Sequence, residues 1–180
     1  MGFVVGKIPQ RMKKYLIEGK PTHIPTSWRD VQLSRFIDWL NFRPETGITQ
    51  AERILLDLEL RTGIDYETLA QLPVYVLEDM AAATSFYDDG ESLQPFMVIP
   101  AEHANVSAID LKQDTLEKLL LARQAYSQAD ANGQHRYTAA PRIVQVYTGL
   151  DITDWTVAEA IGLCAFFLTS YESSQSVTES

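Results

Sequence analysis

The sequence predicts a mainly α protein of the α+β class: two similar helical lobes, each led by a small β-hairpin, behind an extended N-terminal arm. Three observations predict it. The stretch from Lys14 to Leu40 reads strand, turn, strand and amphipathic helix in that order. Helix start and stop signals then recur through both halves, and an acidic turn, Asp88-Asp89-Gly90-Glu91-Ser92, separates them. The expected organisation is a basic arm over 1–13, a first lobe over 14–90, a second lobe over 91–172 and a polar tail over 173–180.

Tyr15, Leu16 and Ile17 favour a strand, Glu18 to Pro21 reverses the chain, and Thr22 to Ile24 returns until Pro25 removes the next ladder donor. Ser27 and Asp30 stand at capping-box spacing, which predicts a helix from about Trp28. Along it Val31, Phe36, Ile37, Trp39 and Leu40 recur as a face for burial. Pro44 and Gly47 place a loop over residues 41–48. Thr49 with Glu52 makes a second box, and the helix it opens runs to Thr62 and closes at Gly63 in the left-handed conformation. Asp65 caps a short helical turn, and Pro73 opens a helix through Val76, Leu77 and Met80 that ends near Phe86-Tyr87.

The second half begins again with strand character, Phe96 to Ile99 pairing with Val106 to Leu111. Asp114 with Glu117 predicts a helix on which Leu116, Leu119, Leu120, Arg123 and Tyr126 lie at helical spacing. Pro141 to Tyr147 reads as a helix stopped by Gly149, and a last helix is expected from Thr153 or Asp154 to about Tyr171. The halves also align as a repeat: Arg53-Ile54, Thr62-Gly63-Ile64-Asp65 and Phe86-Tyr87 correspond to Arg142-Ile143, Thr148-Gly149-Leu150-Asp151 and Phe166-Phe167.

Composition narrows the class. With 180 residues, 46% of them apolar and 22% charged, the chain suits one globular domain or two small lobes sharing a core. Its 15 basic and 24 acidic side chains are unevenly placed: the first 20 residues hold Lys7, Arg11, Lys13, Lys14 and Lys20 against Glu18 alone, leaving ten basic and 23 acidic in the rest. Such a body repels nucleic acid. The arm, with Lys7, Arg11, Lys13 and Lys14, is the expected partner-binding site, suited to an acidic protein surface or a neighbouring copy of the chain. The longest apolar run, from Ala160 to Leu168, is far shorter than the ~20 residues that span a bilayer, so no membrane is expected. The start, MGFVVGK, lacks a charged region ahead of its apolar residues, and the single Cys164 is read as a buried apolar side chain; an intracellular product follows.

No catalytic, metal or nucleotide constellation emerges. His23, His103 and His135 stand apart from one another and from Cys164, without zinc-ligand spacing. The acidic turn Asp88 to Glu91 and the run Asp130-Ala131-Asn132-Gly133 both stop short of a calcium loop. Phosphate-cradling glycine motifs and a serine elbow are missing from the sequence. The expected activity is therefore non-enzymatic, with no cofactor.

In the order hairpin, Pro25-Thr26-Ser27-Trp28, helix with Phe36-Ile37, LRTGID from Leu60, LAQLP from Leu69, Ser85-Phe86-Tyr87 and a closing Phe166-Phe167, the chain resembles small morphogenesis proteins of tailed bacteriophages. These are tail assembly chaperones and tail or ring components, and the resemblance spans about residues 14–170. It implies a non-enzymatic protein of the virion that binds other virion proteins and copies of itself, most simply as a ring or connector of the tail or neck. The virion, or otherwise the host cytoplasm, is then the expected location. The alternatives are a transient tail assembly chaperone absent from the virion, a host-directed adaptor, or an intracellular enzyme or ligand-binding domain. That last one would gather Tyr126, Tyr137 and the Asp88 to Glu91 turn around a dispersed site between the lobes.

Overall fold

The hairpin forms where the sequence places it. A computed structural model describes residues 12–175, and its two strands, β1 (Lys13–Ile17) and β2 (Lys20–Ile24), pair antiparallel with Tyr15 opposite Thr22 and Leu16 opposite Pro21. The reversal is tighter than the Glu18 to Pro21 span. Glu18 (φ 50°) and Gly19 (φ 76°) make a two-residue turn with both φ positive, which matches strand twist, so Lys20 and Pro21 already belong to β2.

Seven α-helices follow among the described residues: α1 (Leu33–Asn41), α2 (Gln50–Thr62), α3 (Tyr66–Ala70), α4 (Val74–Ala83), α5 (Leu116–Ala131), α6 (Ala140–Thr148) and α7 (Val157–Gln175). The Thr49/Glu52 box is complete in both directions, Gly63 closes α2 at φ 76°, and Asp65 caps α3 through the Thr68 N–H. α5 starts from Thr115, one residue after the expected cap, and Asp114 instead accepts from the Thr115 N–H and the Lys118 ammonium. α7 continues through Gln175, into the stretch read as a tail.

The starts of α1 and α7 differ from expectation for one shared reason. Gln32 and Thr156 form an isolated antiparallel bridge in which the Leu33 N–H donates to the Trp155 carbonyl and the Val157 N–H to the Val31 carbonyl, both at 2.8 Å. Each helix thus satisfies one of its unpaired first-turn donors with the other's lead-in, and this holds the lead-ins extended instead of helical. Ala158 N–H adds a bond to the Trp28 carbonyl at 3.1 Å. Ser27 and Asp30, read as a helix cap, close a turn of their own: Asp30 Oδ2 accepts from Ser27 Oγ and from the Thr26 N–H, each at 3.1 Å.

The second hairpin does not form. Residues 90–113 run as short 3₁₀ turns, Gly90–Phe96, Ala101–Ala108 and Leu111–Gln113; Asp89 and Asp110 side chains start the first and the last by accepting from the N–H two residues on, and Pro100 precedes the middle one. Pro95 and Pro100 remove ladder donors. The segment crosses α7 instead, with the Val98 carbonyl lying directly over Gly162.

Two clusters form the core. The smaller joins Ile17 and Ile24 of the hairpin to Leu58, Ile64, Leu69 and Met80. The larger gathers Trp28, Leu33 and Phe36 with Ile143, Leu163 and Phe167, so residues from both sides of the acidic turn share it. Leu116 and Leu120 of α5 lie outside both clusters, 69% and 53% exposed, because the helix turns its small face, Ala122 and Ala129, to α6. The internal repeat is local. Thr62-Gly63-Ile64-Asp65 and Thr148-Gly149-Leu150-Asp151 share one helix ending, the threonine hydroxyl donating to the carbonyl four residues back at 2.7 Å and the glycine at φ 76°. Phe86-Tyr87 sits in a 3₁₀ turn, whereas Phe166-Phe167 lies within α7.

Candidate partner-binding surface

Strand alternation divides the expected site residues between two faces. Lys13, Tyr15 and Ile17 point to the body; Lys14 and Leu16 point away from it. On the inner side Asp79 of α4 accepts from Lys13 Nζ at 2.6 Å and from the Tyr15 hydroxyl at 2.8 Å. The hydrogen bond to Asp79 holds the Lys13 ammonium above its ordinary range, and the reciprocal bond holds Asp79 below the usual carboxylate range. Lys13 is therefore a clasp between hairpin and α4, not part of a free arm. Lys7 and Arg11 lie outside the described residues.

The outer side carries Lys14 opposite His23 and Leu16 opposite Pro21, all four exposed. Leu16 is 76% exposed while its neighbour Ile17 is 7% exposed. Leu16 is thus an exposed apolar side chain on a paired strand, with Pro21 opposite and Lys14 on the same face. Sequence reasoning placed Leu16 in a strand but not on this face, since only the location of the body tells which parity is buried.

Two concavities flank α1. One, of about 410 Å³, lies between α1 and α6 against Leu33, Ile37 and Pro141, with Asp38, Arg142 and Asp151 on its walls. The other, of about 390 Å³, lies at the base of the hairpin against His23, Asp30, Arg35, Thr62 and Gly63.

Several of the other charged and aromatic groups have structural partners. Arg61, buried at the end of α2, binds Asp88 with two nitrogens at 2.6 and 2.7 Å, meets Asp57 at 2.7 Å, and lies over the rings of Trp39 and Tyr87. Its hydrogen bonds lower the Asp88 carboxyl, and burial raises the Tyr87 hydroxyl. Tyr126 donates to Glu172, which also receives Arg136, and Arg136 lies over the ring of Tyr137. Tyr126 and Tyr137 thus approach one ion pair, whereas Asp88 is engaged elsewhere by Arg61. Burial also lowers His135 and pushes the Cys164 thiol up to about 12, so that thiol stays protonated. Among the described residues no group of three His, Cys, Asp or Glu is placed to hold a metal ion, and no helix is long and apolar enough to cross a membrane.

Comparison of the chain with models of protein families, with curated proteins and with solved structures finds no match in any of the three.

Proposed function

We propose that this chain is a non-enzymatic structural or assembly protein of a tailed-phage virion, a ring or connector component of the tail or neck that acts by binding other virion proteins and copies of itself. The observation that carries the reading is the outer face of the hairpin. An ordered two-stranded element, clasped to α4 through Lys13 and Asp79, presents Leu16 and Pro21 to the outside with Lys14 beside them. Both hairpin strands are edges of a two-stranded sheet, which supports docking of a further strand or an acidic surface. The charge split between basic N-terminal segment and acidic body supports a head-to-tail contact between copies, the kind that closes into rings. The resemblance of its motif order to that of tailed-phage morphogenesis proteins supports the setting.

Quantitative mass spectrometry of purified particles tests it. A fixed copy number per particle is expected, together with loss of the chain from particles in a Leu16→Glu variant that folds normally. Abundance in infected cells with absence from particles would replace the virion component by a transient assembly chaperone.

A further inference from the structure

The pocket at the base of the hairpin holds a cation, Arg35, that forms no close ion pair among the described residues. Arg35 is half-buried on α1, and its Nη1 donates to the Thr62 carbonyl at 3.3 Å. Among the described residues no carboxylate lies within 4.0 Å of it, in contrast to Arg61, which has two. The backbone makes room for the group. Gly63 stands under the guanidinium, where an added Cβ would come 2.5 Å from Nη2. The pocket of about 390 Å³ around it also carries His23, Thr22 and Gln32, all able to donate, and opens beside Met12, where the chain enters β1.

We infer that this pocket binds a carboxylate side chain presented on a segment of another protein chain, with Arg35 as its anchor. A guanidinium has a planar fork that matches a carboxylate, and a partly desolvated one strengthens the bond. Two features favour a peptide over a free or polymeric phosphate. The chain beyond its first 20 residues carries 23 acidic against ten basic side chains, a net charge that opposes a polyanion more strongly than a single carboxylate. Asp30 also lines the pocket; its negative charge opposes a dianion but suits the N–H groups that a peptide backbone brings beside its carboxylate. Apolar Met12, Pro25 and Ile64 complete the walls.

The inference rests on the reading of the chain as a protein-binding component, and its test is separate. Nuclear magnetic resonance titration of the full chain would use the blocked tripeptide Ac-Gly-Glu-Gly-NH2, with Ac-Gly-Gln-Gly-NH2, sodium acetate and sodium phosphate as comparisons. Saturable shifts of the Arg35 side-chain N–H and of the Thr62 to Ile64 amides are expected with the glutamate peptide and not with the glutamine one. Arg35→Gln should weaken that binding by roughly tenfold or more, and Arg35→Lys should restore it only in part. The backbone spectrum of each variant reports its folding directly. Equal response to phosphate or acetate, or glutamate-peptide binding that survives Arg35→Gln in a folded variant, would overturn the assignment. A chain present in particles with a silent pocket would sink this inference alone; a responsive pocket in a chain absent from particles would sink only the virion reading.

Discussion

Gly162→Ala is the sharpest perturbation of this fold, because two effects of known size oppose each other there. Gly162 lies inside α7, where alanine normally stabilises by about 1 kcal/mol. Here the added Cβ would sit 1.9 Å from the Val98 carbonyl oxygen, 2.5 Å from its carbon and 3.1 Å from the Phe96 oxygen. Ordinary contact begins at 3.4 Å, so the crossing backbone must retreat by roughly 1.5 Å or leave the helix. Its neighbours resist, since Phe96, Met97 and Ile99 pack against the larger core. Overpacking of a well-filled site costs up to roughly 3 kcal/mol, and subtracting the helix gain leaves a net loss of about 2 kcal/mol. For a chain of this length that lowers Tm by about 4–8 °C. Thermal and urea unfolding followed by circular dichroism measure it, and hydrogen exchange should show the added opening at residues 96–99 before the rest of the core. An unchanged or raised Tm would refute the close crossing of that segment over α7.

Three further outcomes follow from the same contacts. Arg61→Leu removes the partner of Asp57 and Asp88, and because those acids reach solvent the loss should be about 2 kcal/mol, less than the roughly 3–5 kcal/mol of a fully buried pair; urea unfolding reads it, and Arg61→Lys should recover less than half. Stability should fall at both ends of the pH range: Asp88, held down by Arg61, Asp114, held down by the Thr115 N–H and the Lys118 ammonium, and Asp151, held down by the Thr153 hydroxyl and N–H, stabilise above their unfolded values near 4, and this is lost as pH drops through their lower folded values. Cys164 acts in the opposite direction, its protonated folded form losing ground to the ionised unfolded chain from the ordinary value of 9.0 up to about 12, so a urea midpoint flat below pH 4 or above pH 9 would count against these assignments. Gly149→Ala and Gly63→Ala share φ 76° and should each cost about 1 kcal/mol, but only the second meets a side chain, so only it should move the Arg35 N–H resonance.

The elements legible in the sequence are those whose hydrogen bonds close within a few residues. The Thr49/Glu52 box, the Gly63 and Gly149 helix ends, the Asp65 cap and the hairpin turn each satisfy their own backbone groups locally, so residue type and spacing suffice to place them. The strands over 96–111 had the right residue types but lacked a ladder partner, and a glycine on a distant helix offered their backbone a closer contact. Of the four cations expected to bind a partner, Lys7 and Arg11 lie outside the described residues. Charge along the sequence singles out the basic N-terminal end, while the pairing of Lys13 with Asp79 and the outward position of Leu16 depend on where α4 lies.

By itself, then, the sequence determined a mainly helical chain with an N-terminal hairpin, its helix ends and its uneven charge, all properties of neighbouring residues. Tertiary structure alone decided where α1 and α7 begin, since their first donors find acceptors on each other's lead-ins across most of the chain. It also decided which cations are neutralised: Arg61 meets Asp57 and Asp88, Lys13 meets Asp79, and Arg35 is left in an open pocket with a carbonyl. Charge pairing acts over a few ångströms of space whatever the separation along the chain, and that distance exists only once the helices have packed.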